Sequence, residues 1–177
     1  MTNFTVSRNC KNQDSMEQFK EKLDFLSSRD KLIALLDNRD NPVMVLATSA
    51  NDKVISRSVL IINNGLDLYF FTWKNSRKIR QIEINNNISI CKDKIEIEGE
   101  AKSLGLMTSK ENKSVLEIIR KKHPDSVEKW ESKPNMIIVL IKPIFACIDG
   151  YIENDDSYLE YIDIENKESY KTKWADH

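Results

Sequence analysis

The sequence predicts an α+β protein, a small and mostly antiparallel β-barrel decorated by helices. Three observations carry that prediction. Short runs of branched and aromatic residues are joined by tight turns, helical patterns fall singly between them, and regular strand–helix alternation is absent. Neither Gly-x-Gly-x-x-Gly nor Gly-Lys-Ser/Thr occurs, which disfavours the usual dinucleotide and nucleoside-triphosphate folds.

Residues 1–14 are polar and read as a loosely docked end. From Ser15 to Leu36, Met16, Phe19, Leu23, Leu26, Leu32, Ile33, Leu35 and Leu36 recur at helical spacing. The Ser27–Asp30 interruption divides them into two helices, the second capped at Ser28 or Asp30. Asn41-Pro42 ends helical structure, because proline disfavours helix at the residue before it. Residues 1–40 therefore form an N-terminal helical segment packed on a barrel of residues 41–150. Residues 151–177 extend the same domain as an edge hairpin or an arm.

Within the barrel, Val43–Thr48, Val54–Ile62 and Leu66–Thr72 read as strands. A polar turn at 50–53 joins the first two, and an Asn63-Asn64-Gly65 hairpin turn joins the next. A helix from Ser76 to about Asn85 turns Ile79 and Ile82 inward, and Ile88–Cys91 with Lys94–Leu104 form another hairpin pair. Thr108 and Glu111 have capping-box spacing for a helix that buries Val115, Leu116, Ile118 and Ile119, and His123-Pro124 stops it. A short helix at 126–130 precedes a long strand, Met136–Gly150, bent at Lys142-Pro143.

Composition excludes several function classes. The 27 basic and 28 acidic residues leave a formal net charge of −1, without the basic excess of a nucleic-acid binder. The three cysteines are scattered and the two histidines, His123 and His177, lack close partners, so neither a disulfide framework nor a metal site is expected. The first residues lack the apolar core of a signal peptide, and the longest purely apolar run, Met136–Ile141, is too short to span a bilayer. A soluble, cytoplasmic protein with no nucleic-acid or membrane partner is expected.

Chemistry concentrates between Arg57 and Lys78. Strand parity places Arg57 on one face with Ile55, Val59 and Ile61, where an uncompensated cation is costly. Arg57 either reaches the barrel rim, pairs with an acidic neighbour, or meets an anionic ligand. Helix first turns favour acidic residues, yet Arg77 and Lys78 follow the candidate cap Ser76. Either both point to solvent, or an anion binds between them. Together with the hairpin that brings Arg57 near the third strand's end, these anomalies favour a shared anion, such as a phosphate monoester.

Arg-Ser-Val-Leu at 57–60, Phe-Thr at 71–72, Ser-Arg-Lys at 76–78 and Gln-Ile-x-x-Asn-Asn at 81–86 resemble the FMN-binding pattern of the pyridoxamine 5′-phosphate oxidase-like family. Leu46-Ala47-Thr48 and Ile97-Glu98-Gly99-Glu100-Ala101 resemble it too, and the likeness covers about residues 30 to 150. It implies a six-stranded antiparallel split β-barrel of the FMN-binding type, and a homodimer with FMN between subunits. By that resemblance Arg57 and Lys78 grip the phosphate, aided by Arg77 and Ser76. Ser58, Val59 and Leu60 run along the ring, and Phe71 and Thr72 border the ring and ribityl chain. Lys94, where the family has a glutamine, is a candidate to approach the ring's N1–O2 edge, or is a solvated turn lysine. Trp73 either covers the site or packs in the core.

The departures argue against vitamin B6 oxidation. Ile62 stands where the oxidase has lysine, and Trp174 and His177 do not reproduce its C-terminal Arg/Trp/His block. The chain resembles the shorter general-stress-protein branch. Three classes follow: an FMN-dependent oxidoreductase using a nicotinamide nucleotide or small organic molecule, a flavin-binding sensor or carrier without turnover, and a split barrel that binds haem or a deazaflavin. Of the remaining reactive residues, His123 reads as a helix cap, Cys91 and Cys147 as inert core residues, and Arg120–Lys122 as a solvated helix end.

Overall fold

A computed structural model describes residues 21–37, 42–151 and 157–173. Strand β1 (Glu21–Leu23) leads into helix α1 (Phe25–Asp37). Four strands follow, β2 (Val43–Ala50), β3 (Lys53–Leu60), β4 (Ile62–Asn64) and β5 (Asp67–Trp73), and then helix α2 (Arg77–Ile84). After β6 (Asn87–Lys92) and β7 (Ile95–Leu106), a 3-10 turn (Lys110–Asn112) opens α3 (Lys113–Lys122) and α4 (Pro124–Glu131). The described chain ends with β8 (Met136–Tyr151), β9 (Ser157–Asp163) and β10 (Glu168–Lys173).

All ladders are antiparallel, and the main path runs β1-β10-β9-β8-β7-β6-β2-β3. Strand β8 is where the sheet forks. Its first half, Met136–Ile141, pairs with β5, and its second half, Phe145–Tyr151, pairs with β9. Pro143, which has no N–H, sits at the fork, opposite Gly99 and beside a β8 bulge whose extra residue is Ile144. A Cβ on Gly99 would lie 2.5 Å from the Lys142 carbonyl oxygen, so the close approach of β7 and β8 requires glycine.

The fold class is mostly antiparallel α+β, as the turn-punctuated pattern predicts. The barrel does not close: β3 ends the path, and no ladder joins it to β5 among the described residues. Ten strands are described where the six barrel strands are expected, because β4 separates from the expected second strand and the terminal segments add β1, β9 and β10 to the sheet.

Two cores explain the apolar runs. Leu68, Phe70, Ile137, Val139 and Ile141 face the barrel interior with Leu46, Ile61, Ile90 and Ile97. Tyr69, Met136 and Ile138 face the other way, against Leu116 and Ile119 of α3 and Val127 of α4. Strands β5 and β8 are therefore covered on both faces, and alternation is erased there. Helix α1 joins the first core through Leu32 and Leu36, 0% and 2% exposed and each worth roughly 1.5–3 kcal/mol when fully buried.

Several local expectations are corrected. Residues 15–20 of the first expected helix lie outside the described residues, and Glu21–Leu23 is a strand paired with β10. Helix α1 starts earlier than expected because Asp24 caps it. The Asp24 carboxylate accepts from Ser27 N at 2.8 Å and from Ser27 Oγ at 2.7 Å, which holds its pKa below the usual value. The expected strand 54–62 breaks at Ile61, whose N–H turns to the Pro42 carbonyl at 2.9 Å before β4 pairs with β5. The hairpin turn shifts by one residue, to Gly65 (φ +60°) and Leu66. No side-chain cap forms at the start of the 3-10 turn, so the Thr108 capping box is not realised. The His123 N–H caps α3 by donating to Ile119 O at 2.8 Å. Cys91 is exposed rather than core, because it shares parity with the outward-facing Glu96 and Val45. No described helix is long and apolar enough to cross a membrane.

Candidate functional site

The open end of the barrel between β3, β5 and α2 collects the cations. Strand β3 follows β2 through Asn51-Asp52, a two-residue turn with φ of 50° and 60°, which suits a tight hairpin. The parity this sets turns Ile55, Arg57 and Val59 inward and exposes Val54, Ser56 and Ser58. Helix α2 buries Ile79 and Ile82 against the barrel core, so Arg77, Lys78 and Gln81 are held at its mouth.

Arg57 reaches the rim instead of meeting an acid. Its Nη1 donates to Thr48 Oγ1 at 2.6 Å, and its Nη2 donates to Gln81 Oε1 at 3.1 Å. The Thr48 hydroxyl also donates to Gln81 Oε1, at 2.8 Å, and Gln81 Nε2 donates to the Lys53 carbonyl at 3.2 Å. Burial, and then the charge of Arg77, hold the Arg57 pKa below its usual value.

Lys78 forms the second limb. Its Nζ donates to Thr72 Oγ1 at 2.9 Å, and the Thr72 hydroxyl donates to Ser76 Oγ at 3.2 Å. Burial, and then the charge of Arg57, lower the Lys78 pKa. Arg57 thus feels Arg77, and Lys78 feels Arg57. None of the three forms a salt bridge with a carboxylate among the described residues. Three mutually repelling cations beside two hydroxyls and a helix N-terminus suit an anion with about two charges.

Beside this cluster, Ser58, Val59 and Leu60 lie on the β3 edge that carries no ladder among the described residues. Its unpaired backbone groups are available to a ligand or a second strand. Phe71 and Leu60 pack against the second core, at its margin. Trp73 is 45% exposed and stands edge-on to Trp130, with ring centroids 6.3 Å apart.

Lys94 is not brought to the cluster. It lies in the β6–β7 turn, four residues beyond Ile90, the residue in register with Leu46 and hence with Arg57. There it lines an outer-face groove with Asp93, Glu96, Glu98, Phe145 and Cys147. Burial, and then Glu96 and Asp149, push the Cys147 thiol up to about 11. Among the described residues no cluster of His, Cys, Asp and Glu is arranged to hold a metal.

Gln81 and Thr48 were not assigned roles by sequence reasoning. The available signal was parity, which aims Thr48 inward with Leu46, and helical spacing, which sets Gln81 four residues after Arg77.

No protein-family model matches the sequence, and no curated protein matches it. Solved structures do. A pyridoxamine 5′-phosphate oxidase-like protein from Listeria innocua aligns at 23% identity and TM-score 0.54, over 68% of this chain and 97% of that one. General stress protein 26 from Bacillus anthracis aligns at 26% identity and TM-score 0.53, over 67% of this chain and 91% of that one. The haem storage protein HutZ from Vibrio cholerae aligns at 14% identity and TM-score 0.52, over 67% of this chain and 89% of that one.

Proposed function

Given that the chain has the split-barrel fold of pyridoxamine 5′-phosphate oxidase-like proteins, we propose that it is an FMN-binding flavoprotein acting as an oxidoreductase. The observation that carries this reading is the convergence of Arg57, Arg77 and Lys78 without a carboxylate partner among the described residues. A phosphate monoester relieves that repulsion and accepts from the Ser76 hydroxyl as well. Arg57 and Lys78 would hold the phosphate with Arg77. The edge backbone at Ser58, Val59 and Leu60 would lie along the ring, with Phe71 at its border. Bound flavin would supply hydride or electron transfer, with a nicotinamide nucleotide or a small organic molecule as the other reactant.

A homodimer belongs to the same proposal. Lys94 lies in an outer-face groove apart from the cations of its own chain, and in this proposal the Lys94 of a second copy would approach the ring. Val43 and Val45, at 37% and 40% exposed, present apolar surface on the outer face of β2 beside Ser58 and Leu60 of the open β3 edge. Haem is the weaker alternative. An imidazole ligand would have to come from His123, at the α3–α4 junction, or from His177, outside the described residues.

Purified protein with a flavin absorption spectrum supports the proposal, and a haem Soret band overturns it. Replacing Arg57 and Lys78 together with alanine removes two charge-assisted contacts of roughly 1.5–3 kcal/mol each, so FMN binding should weaken about a hundredfold or more. Steady oxidation of NADH or NADPH separates an enzyme from a carrier. A light-scattering mass of one chain counts against the dimer.

A further inference from the structure

Beside the cation cluster, between α2 and the β2–β3 turn, lies a pocket of about 390 Å³. Asn51 and Lys53 line it from the turn, and Arg77, Arg80, Gln81 and Ile84 line it from the helix. The four helix residues fall at i, i+3, i+4 and i+7, one face of α2, while Ile79 and Ile82 anchor another. Two residues join this pocket to the first site. Arg77 acts electrostatically on Arg57, and Gln81 hydrogen-bonds both Arg57 and the Lys53 carbonyl.

The charges here are again one-sided. Lys53, Arg77 and Arg80 all line the pocket, and no lining residue is acidic. Asp52 and Glu83 neighbour it in sequence, but both are exposed and neither lines it. Arg77 and Arg80 are like charges one helical turn apart, close to the end of α2 where cations are least favoured. None of the three pairs with a carboxylate among the described residues. Ile84, 62% exposed, adds an apolar wall of the kind on which a purine can lie.

We propose that this pocket is a second phosphoryl subsite, which takes the adenylate half of a flavin dinucleotide whose first phosphate sits among Arg57, Arg77 and Lys78. The inference rests on the flavin reading above and extends it. A flavin dinucleotide grows from the phosphate end of the mononucleotide, and the pocket adjoins that end through Arg77. Lys53 and Arg80 then meet the added phosphate, and Ile84 meets the base.

Calorimetric titration of the full-length chain, freed of co-purified flavin, tests the idea with FMN and FAD side by side. Wild-type protein should bind FAD at least as tightly as FMN. Lys53→Ala combined with Arg80→Ala should weaken FAD about tenfold, leaving FMN within about twofold. Both side chains are exposed, so folding should persist, and circular dichroism checks it. Arg80→Glu should weaken FAD further, and Arg80→Lys should restore most of its affinity. Wild-type protein that takes FMN and excludes FAD, or variants that change both ligands equally or neither, overturn the subsite while leaving the flavin reading intact. Failure to bind any flavin overturns both.

Discussion

Gln81 presents its side-chain carbonyl to Arg57, with Nη2 donating to Oε1 at 3.1 Å, so a neutral amide occupies the place where a carboxylate would neutralise the guanidinium. That choice keeps the Arg57 charge available to a ligand. Gln81→Glu should install the missing counter-charge while still accepting from Thr48. It loses the Nε2 contact to the Lys53 carbonyl, a change of about 1 kcal/mol in stability. FMN affinity should fall about tenfold or more in a titration, with the far-ultraviolet spectrum unchanged. Equal affinity would show that Arg57 does not meet the phosphate.

Lys78 should trade stability for binding. Its folded pKa is depressed by burial and by Arg57, so the protonated amine is a cost to the ligand-free fold at neutral pH. The sign follows: this group's favourable contribution is present above pH 10.5 and is lost as pH falls through the lowered folded pKa. Lys78→Met should therefore raise the melting temperature of ligand-free protein by about 1–2 °C at pH 7, after discounting for solvent screening. The same substitution should weaken FMN about tenfold. Scanning fluorimetry with and without FMN reads both effects, and a lowered ligand-free melting temperature contradicts the argument.

Gly99→Ala should be among the most damaging single-methyl additions. The new Cβ meets the Lys142 backbone at the fork of β8, where no flexible side chain can yield. Overpacking of this kind costs about 1–3 kcal/mol. Urea unfolding should show a lower midpoint with an unchanged slope.

The cysteines should separate by reactivity. Cys147, pushed up to about 11, holds about a hundredfold less thiolate at pH 8 than a thiol at its unshifted value of 9.0. In a Cys10→Ser background, a disulfide reagent should label exposed Cys91 quickly and Cys147 slowly. The Cys147 rate should climb about tenfold per pH unit until near 11. Because its folded pKa is raised, Cys147 contributes stability below pH 9 that disappears between 9 and 11. Cys147→Ala should abolish that part of the alkaline fall in melting temperature.

The limbs of the site differ in how far they could be read in advance. Parity placed Arg57 inward, and cap spacing placed Arg77 and Lys78 at a helix start, because both are local properties of a periodic backbone. The partners of those cations were hidden. Thr48 and Gln81 lie 9 and 24 residues from Arg57, and only the packing of α2 on the β2–β3 hairpin joins them. The same limit explains β1 and β10. Glu21–Leu23 continues a helical apolar pattern, yet the ladder with Ser169–Lys171 overrides it, since strand pairing depends on a partner almost 150 residues away.

By itself the sequence determined the alternation of short strands and tight turns, the inward arginine and the cationic helix start, since each follows from periodicities of two and 3.6 residues within a few positions. Only the tertiary structure decided that β8 forks at Pro143, that the seam between β3 and β5 stays open, and that amide and hydroxyl groups receive Arg57 where an acid could have stood. Those outcomes depend on which distant segments compete for the same strand edge and the same buried donors, a contest settled by packing and hydrogen-bond satisfaction across the whole sheet.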